Sequence, residues 1–135
     1  MPTALLIRRV TFSASHRLHS PELSDAENTK IFGKCNNPNG HGHNYVLEVA
    51  VQGKIDPKTG MILNLSDLNE LIDKIVVSRI DHKNFNLDLP EFQKTNPTAE
   101  NIAVFIWKIL KEKIPLLHEI KLQETENNSV IYRGE

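Results

Sequence analysis

The segment His41-Gly42-His43 sets two imidazoles two residues apart. On an extended strand residues i and i+2 point the same way, so both rings face one site while Gly42 keeps the residue between them small. A catalytic zinc typically takes three protein ligands and keeps a fourth position open, so one more histidine would complete such a set. His16, at the end of an alternating apolar stretch, is the natural third ligand, and His19 competes for the role. Taken alone, a His-x-His pair also fits a turn, and His16 also fits a buried histidine with a hydrogen-bond partner. Cys35 lies in the glycine- and asparagine-rich loop that leads to His41, where its sulfur can stand beside a metal without ligating it. A lone cysteine is usually a small buried hydrophobe, but this loop is too polar for that reading. A free thiol has a pKa of about 8.5, which a neighbouring histidine or cation lowers, making a thiolate available as base or nucleophile. Asp81-His82 supplies such a partner, with the acid orienting the imidazole; by itself His82 also fits as a histidine favoured at a helix C-terminus.

The elements that must carry these residues follow from hydrophobic periodicity. Thr3 to Ser15 alternates as a strand, with Leu6, Val10, Phe12 and Ala14 on one face and His16 next in that register. From Leu18 to Gly40 the chain is turn chemistry, an ordered loop with one helical turn near Asp25 to Ile31. His41 to Val51 alternates again and puts His41, His43, Tyr45, Leu47, Val49 and Val51 on one side. After Asn64 the period becomes helical, with Leu65, Leu68, Leu71, Ile72, Ile75 and Val76 on a stripe and Asn64 and Ser66 as cap residues. A polar loop from Ile80 to Asn96 leads to Thr98, which caps a second helix carrying Ile102, Phe105, Ile106, Ile109 and Leu110; Pro115 ends it. The tail alternates through Ile120, Leu122 and Glu124, turns at Glu126-Asn127-Asn128 and resumes at Val130-Ile131-Tyr132.

The order strand-strand-helix-helix-strand-strand predicts an α+β fold: a four-stranded antiparallel sheet with two helices on one face, forming a single domain over residues 1–135. The edges of such an open sheet must be covered or paired, so subunits are expected to continue it into one another. With 135 residues and a net charge of −1, the chain lacks the basic bias of a nucleic-acid binder, and no apolar run is long enough for a membrane span. Its start does not read as a secretory signal, so a soluble protein of the cytoplasm is expected. One cysteine excludes an intrachain disulfide and any zinc cage that needs two thiolates.

Five stretches resemble the 6-pyruvoyl-tetrahydropterin synthase family, and together they span nearly the whole chain. They are Val10-Thr11-Phe12-Ser13-Ala14-Ser15-His16-Arg17-Leu18, the run from Phe32 through Cys35-Asn36-Asn37-Pro38-Asn39-Gly40-His41-Gly42-His43 to Tyr45, Ile80-Asp81-His82-Lys83-Asn84, Ala99-Glu100-Asn101, and Glu124-Thr125-Glu126-Asn127-Asn128. The resemblance implies that His16, His41 and His43 ligate one zinc per chain. It makes Cys35 the catalytic base, Asp81 and His82 that cysteine's partners, and Glu124 the carboxylate that anchors the pterin ring. Thr98, Ala99 and Glu100 stand at a substrate-binding segment where animal members carry Thr-Thr-Glu, so a pterin contact from the second threonine's side chain has no counterpart at Ala99. The implied fold is the tunnelling fold, assembled as a homohexamer from two trimers with active sites between subunits. The implied reaction is the lyase step of tetrahydrobiopterin biosynthesis, which takes 7,8-dihydroneopterin triphosphate to 6-pyruvoyl-tetrahydropterin with loss of triphosphate, helped by Mg2+.

Two rivals are separable. A bacterial 6-carboxy-tetrahydropterin synthase would have three residues between the cysteine and the His-x-His pair, whereas Asn36 to Gly40 are five. A pterin-binding module with structural zinc would need a fourth protein ligand. Arg8, Arg9, Arg17 and Lys34 are candidates for the triphosphate, and Arg8-Arg9-Val10-Thr11 has the spacing that a basophilic kinase reads before a hydroxyl.

Overall fold

A computed structural model describes Met1–Glu135. Strand β1 (Thr3–His16) is followed by helix α1 (Asp25–Phe32), a 3-10 turn (Gly33–Asn36) and strand β2 (His41–Lys54). Helix α2 (Leu65–Ile72) continues through a wider π-helical stretch (Asp73–Val77) and a last turn (Ser78–Ile80). After it come a two-residue strand β3 (Lys83–Asn84), the one-turn helix α3 (Phe85–Asp88), helix α4 (Ala99–Lys111) and strands β4 (Leu117–Thr125) and β5 (Asn128–Tyr132).

The fold is α+β, but its sheet has five strands, in the order β3-β1-β2-β4-β5, where four antiparallel strands were expected. The added strand β3 is parallel to β1, pairing Ala14 with Lys83 and Ser15 with Asn84, so the sheet is mixed. Two residues are too short to show an alternation in sequence. The pairing is held from the side by Asp81, whose Oδ1 accepts the Ser13 N–H at 2.9 Å, and by the His82 N–H, which donates to the Ser13 carbonyl at 2.6 Å.

Helix starts follow the predicted caps. Asn64 Oδ1 accepts from the Ser66 N–H and Thr98 Oγ1 from the Asn101 N–H, each satisfying a backbone donor left free in a first helical turn. The apolar stripes of α2 and α4, through Leu68, Ile72, Val76, Ile102, Ile106 and Leu110, join Phe12, Leu47, Val49, Ile120 and Leu122 of the sheet in one core. Each such buried aliphatic side chain contributes about 1.5–3 kcal/mol. The opposite sheet face carries Leu5, Ile7 and Ile131, all exposed.

Strands β1 and β2 pair without a register shift from Thr3↔Lys54 to His16↔His41, which aligns Ala14 with His43 and Phe12 with Tyr45. Strand β4 pairs with β2 at Val46↔Gln123. Extending this antiparallel register by one step sets Glu124 beside Tyr45, on the histidine face. Gly40 closes the corner: it has φ 73°, and a Cβ there would stand 2.8 Å from the His16 carbonyl oxygen. Only glycine lets the loop approach β1 so closely.

Candidate metal centre

His16 ends the inward face of β1 and is fully buried. Its Nδ1 lies 2.7 Å from the Pro97 carbonyl. A carbonyl oxygen only accepts, so Nδ1 carries the proton and Nε2 of the neutral ring presents a lone pair. The rings of His16, His41 and His43 meet edge to face, with centroids 4.7–5.2 Å apart. One nitrogen from each lies within 4.8 Å of the others, so the three form a group able to hold a metal ion. His16 Nε2, His41 Nδ1 and His43 Nε2 are buried and have no hydrogen-bond partner. A buried polar atom without a partner is costly, and three unpartnered ring nitrogens converging on one point fit a cation with imidazole affinity, zinc among them.

Burial is the main reason His16 sits below the usual histidine pKa; the Pro97 carbonyl and Glu124 pull the other way, and the two other rings push it lower again. His43 is lowered first by burial, against the pull of Glu124. Neutral imidazole is the form that binds metal. His19 is not a member of this three-histidine group; its Nδ1 is hydrogen-bonded to Asn36 Nδ2 at 3.0 Å.

Glu124 reaches the same point from β4. Its Oε2 is 4.0 Å from His16 Nε2 and its Oε1 3.8 Å from His43 Nε2. Tyr45 completes the wall, stacked on Phe12 at 5.0 Å and edge-on to His43 and His16. Its hydroxyl is buried without a partner. Burial, then the charges of Glu124 and Cys35, push the phenol far up its scale, so it stays a donor. The strand pattern had placed Tyr45 on this face; nothing in the sequence marked its hydroxyl.

Cys35 sits in the 3-10 turn, half-buried, with its carbonyl receiving the Leu18 N–H at 2.8 Å. Within one chain the thiol is pushed up, first by burial and then by the Glu124 charge. That reverses the expectation of a pKa lowered by an adjacent imidazole. The reason is spatial: no hydrogen bond joins Cys35 to Asp81 or His82, which sit instead at the β1 edge. There Asp81 Oδ1 is 3.0 Å from His82 Nδ1, and the His82 side chain is 82 % exposed. Asp81 is held below the usual carboxylate range by the Ser13 N–H first and by His82 as a lesser cause. His82 has φ 64°, a left-handed conformation that costs a non-glycine residue roughly 1–2 kcal/mol. Together with Lys83, Asn84 and Asp88 it lines an open groove of about 520 Å³ along β1.

Thr98, Ala99 and Glu100 follow Pro97 directly, Thr98 as the cap of α4 and the other two in its first turn. They therefore begin where the chain holds His16 in place. Arg17 is fixed on the other side, its Nε donating to the Asn36 carbonyl at 3.1 Å.

Comparison with known proteins supplies the context of this site. The family model described as 6-pyruvoyl tetrahydropterin synthase matches residues 5–135. A 6-pyruvoyl tetrahydrobiopterin synthase of Drosophila melanogaster is 53% identical over 136 residues, covering 98% of this chain and 81% of the relative. The Homo sapiens protein of that name is 52% identical over 134 residues, covering 98% and 92%. The solved structure of Caenorhabditis elegans 6-pyruvoyl tetrahydropterin synthase superposes with a TM-score of 0.95 at 41% identity, over 100% of this chain and 98% of that one.

Proposed function

Because the chain belongs to the 6-pyruvoyl tetrahydropterin synthase family, we infer that its three-histidine cluster is the centre of that family's reaction. The protein is an enzyme of tetrahydrobiopterin synthesis, a lyase that converts 7,8-dihydroneopterin triphosphate to 6-pyruvoyl-tetrahydropterin with elimination of triphosphate. Hydrogens lost from the two side-chain carbinols reappear on the pterin ring, on the terminal methyl and on the departing triphosphate. The enzyme's own task is to move protons. The observation that carries the residue assignment is the convergence of three unpartnered, buried imidazole nitrogens beside Glu124.

His16, His41 and His43 would hold zinc, one per chain. Zinc bound there would supply Lewis acidity to the side-chain hydroxyls of the substrate and so ease removal of the adjoining protons. Glu124 accepts hydrogen bonds from the amino and ring N–H groups of the pterin and fixes the ring. Thr98, Ala99 and Glu100 belong to the substrate-binding segment, and Ala99 offers no hydroxyl to the pterin. Cys35 carries the proton between carbon and oxygen. The Asp81–His82 pair is turned outward in its own chain, so it serves the cysteine of a neighbouring copy, accepting the thiol proton so that a thiolate is available. This reading places each active site between subunits of a homohexamer, a dimer of trimers, and is supported by the exposed pair and by the bare sheet face with Leu5 and Ile7. Mg2+ would accompany the triphosphate. No helix is long and apolar enough to cross a membrane, and a cytoplasmic location fits the enzyme's small-molecule substrate.

The test is incubation of zinc-loaded protein with 7,8-dihydroneopterin triphosphate and Mg2+, with products identified by mass spectrometry. Release of triphosphate with a 6-pyruvoyl product is expected. A 6-carboxy product, or no turnover by a zinc-replete hexamer, would refute the reading.

A further inference from the structure

The histidines make no hydrogen bond to the carboxylate of Glu124. Since the Nδ1 proton of His16 is committed to Pro97, His16 Nε2 has a lone pair and no hydrogen, and it faces Glu124 Oε2 at 4.0 Å. Oε1 faces the equally unpartnered His43 Nε2 at 3.8 Å. The His16 lone pair facing a carboxylate oxygen in a partly buried pocket is repelled unless a cation lies between them. Bonds of about 2.0–2.1 Å to zinc put tetrahedral donors about 3.4 Å apart, so both gaps exceed a completed coordination shell by only about half an ångström.

We propose that Glu124 is the fourth ligand of the resting metal centre, exchanged for the side-chain hydroxyls of the substrate when the pterin ring draws the carboxylate away. This deepens the zinc assignment of His16, His41 and His43 and rests on it. The four donors differ in how firmly they are held. His16 is fully buried and pinned by Pro97, whereas the Glu124 side chain is 19 % exposed, close to the 17 % of His43, and lies one residue before the end of β4. Of the partly exposed donors, Glu124 is the one with a second set of partners in the pterin N–H groups, which makes it the exchangeable ligand. One carboxylate would serve two partners in turn, the cation in the empty enzyme and the pterin N–H groups in the complex. The metal's reactive position then appears only after the ring has bound.

The test uses the full-length protein reconstituted with zinc or with Co2+, which reports its ligand set through visible absorption. Wild type is compared with Glu124→Gln, which removes the charge at constant shape, and Glu124→Asp, which keeps the charge but withdraws it by one methylene. Zinc affinity by chelator competition should fall by about ten- to a hundredfold in both variants, and the Co2+ bands of both should differ from those of wild type. Should Glu124→Gln fail to fold, Glu124→Asp carries the same comparison. Superposable Co2+ spectra and zinc affinities within about twofold of wild type would overturn Glu124 as a ligand and leave the three histidines standing. Full metal retention in His41→Ala would instead overturn the histidine assignment, and the proposal with it.

Discussion

His16 and Pro97 are joined by a 2.7 Å hydrogen bond from the ring Nδ1 to the backbone carbonyl, across most of the chain's length. The bond fixes the tautomer that turns Nε2 toward His41 and His43, and ties the loop before α4 to the end of β1. Loss of an outer partner of this kind typically costs about 10- to 100-fold in metal affinity.

Removal of a ligand should cost far more. Purified protein is expected to hold about one zinc per chain, and His41→Ala or His16→Ala should hold less than about a tenth of that. His19→Ala should keep its metal, because His19 is engaged with Asn36. Elemental analysis of the three variants decides the matter, and zinc lost only from the His19 variant would reverse the choice of third ligand.

Cys35→Ala should keep fold and zinc yet lose turnover by about 100-fold or more, the scale of general base catalysis. His82→Ala should act in the same direction. The double variant should lose much less than the product of the single losses, since residues working as one unit are not additive. Steady-state kinetics on metal-replete samples gives the comparison; independent losses would separate the two residues.

Mixing those two inactive variants tests where the site lies. If Cys35 of one copy meets His82 of another, subunits reassembled at equal ratio should recover about a quarter of wild-type activity, the chance that both contributions to a site are intact. Light scattering of the same samples should report a hexamer. Recovery of nothing from mixed hexamers would place the pair and the cysteine in separate roles.

Asp81 gives a pH signature. Its pKa is depressed in the fold, chiefly by the Ser13 N–H. The unfolded chain therefore binds the proton more readily, and the group's contribution to stability is present above its unfolded value of about 3.8 and lost as pH falls through the lower folded value. Asp81→Ala should unfold earlier than wild type in urea at neutral pH, and the two midpoints should converge as the pH drops below about 3.8. A gap that persists in acid would assign the loss to packing.

Gly40→Ala should destabilise the loop by about 1–3 kcal/mol or displace His41, because its methyl would meet the His16 carbonyl at a left-handed φ. Thermal unfolding and zinc content should both fall. Gly60→Ala, at the same φ of 73° with nothing within 4 Å of its would-be Cβ, should cost only the backbone strain and keep zinc; equal zinc loss in both would mean that the close approach is not what matters.

Strands β1 and β2 and the helices α2 and α4 were legible because their apolar residues repeat with a period that burial enforces, and His16, His41 and His43 inherit their direction from those strands. Glu124 was placed on the right face by the alternation of Ile120 and Leu122. What depended on loop trajectories was not legible. The clip from Asp81 and His82 to Ser13, and with it the fifth strand, is made of one carboxylate and one backbone hydrogen bond that leave no periodic trace. The separation of Cys35 from His82 depends on the path of the loops that carry them, and the raised thiol follows first from burial and then from the Glu124 carboxylate, neither of which sequence distance shows. The alternation of β2 places Tyr45 on the histidine face; its unpartnered hydroxyl is a property of the packed wall alone.

The unbroken pairing of β1 with β2 has a consequence for how the chain reaches this state. The two strands are joined by residues 17–40, so their zipping closes a long loop, which costs roughly 1.5RT times the logarithm of loop length before any pair repays it. A slip by one residue would keep most backbone bonds but turn His41 and His43 to the opposite face. Only the correct alignment brings all three imidazoles together, so a metal ion held by them would favour that alignment over its near neighbours and would act as a proofreader of strand register during folding.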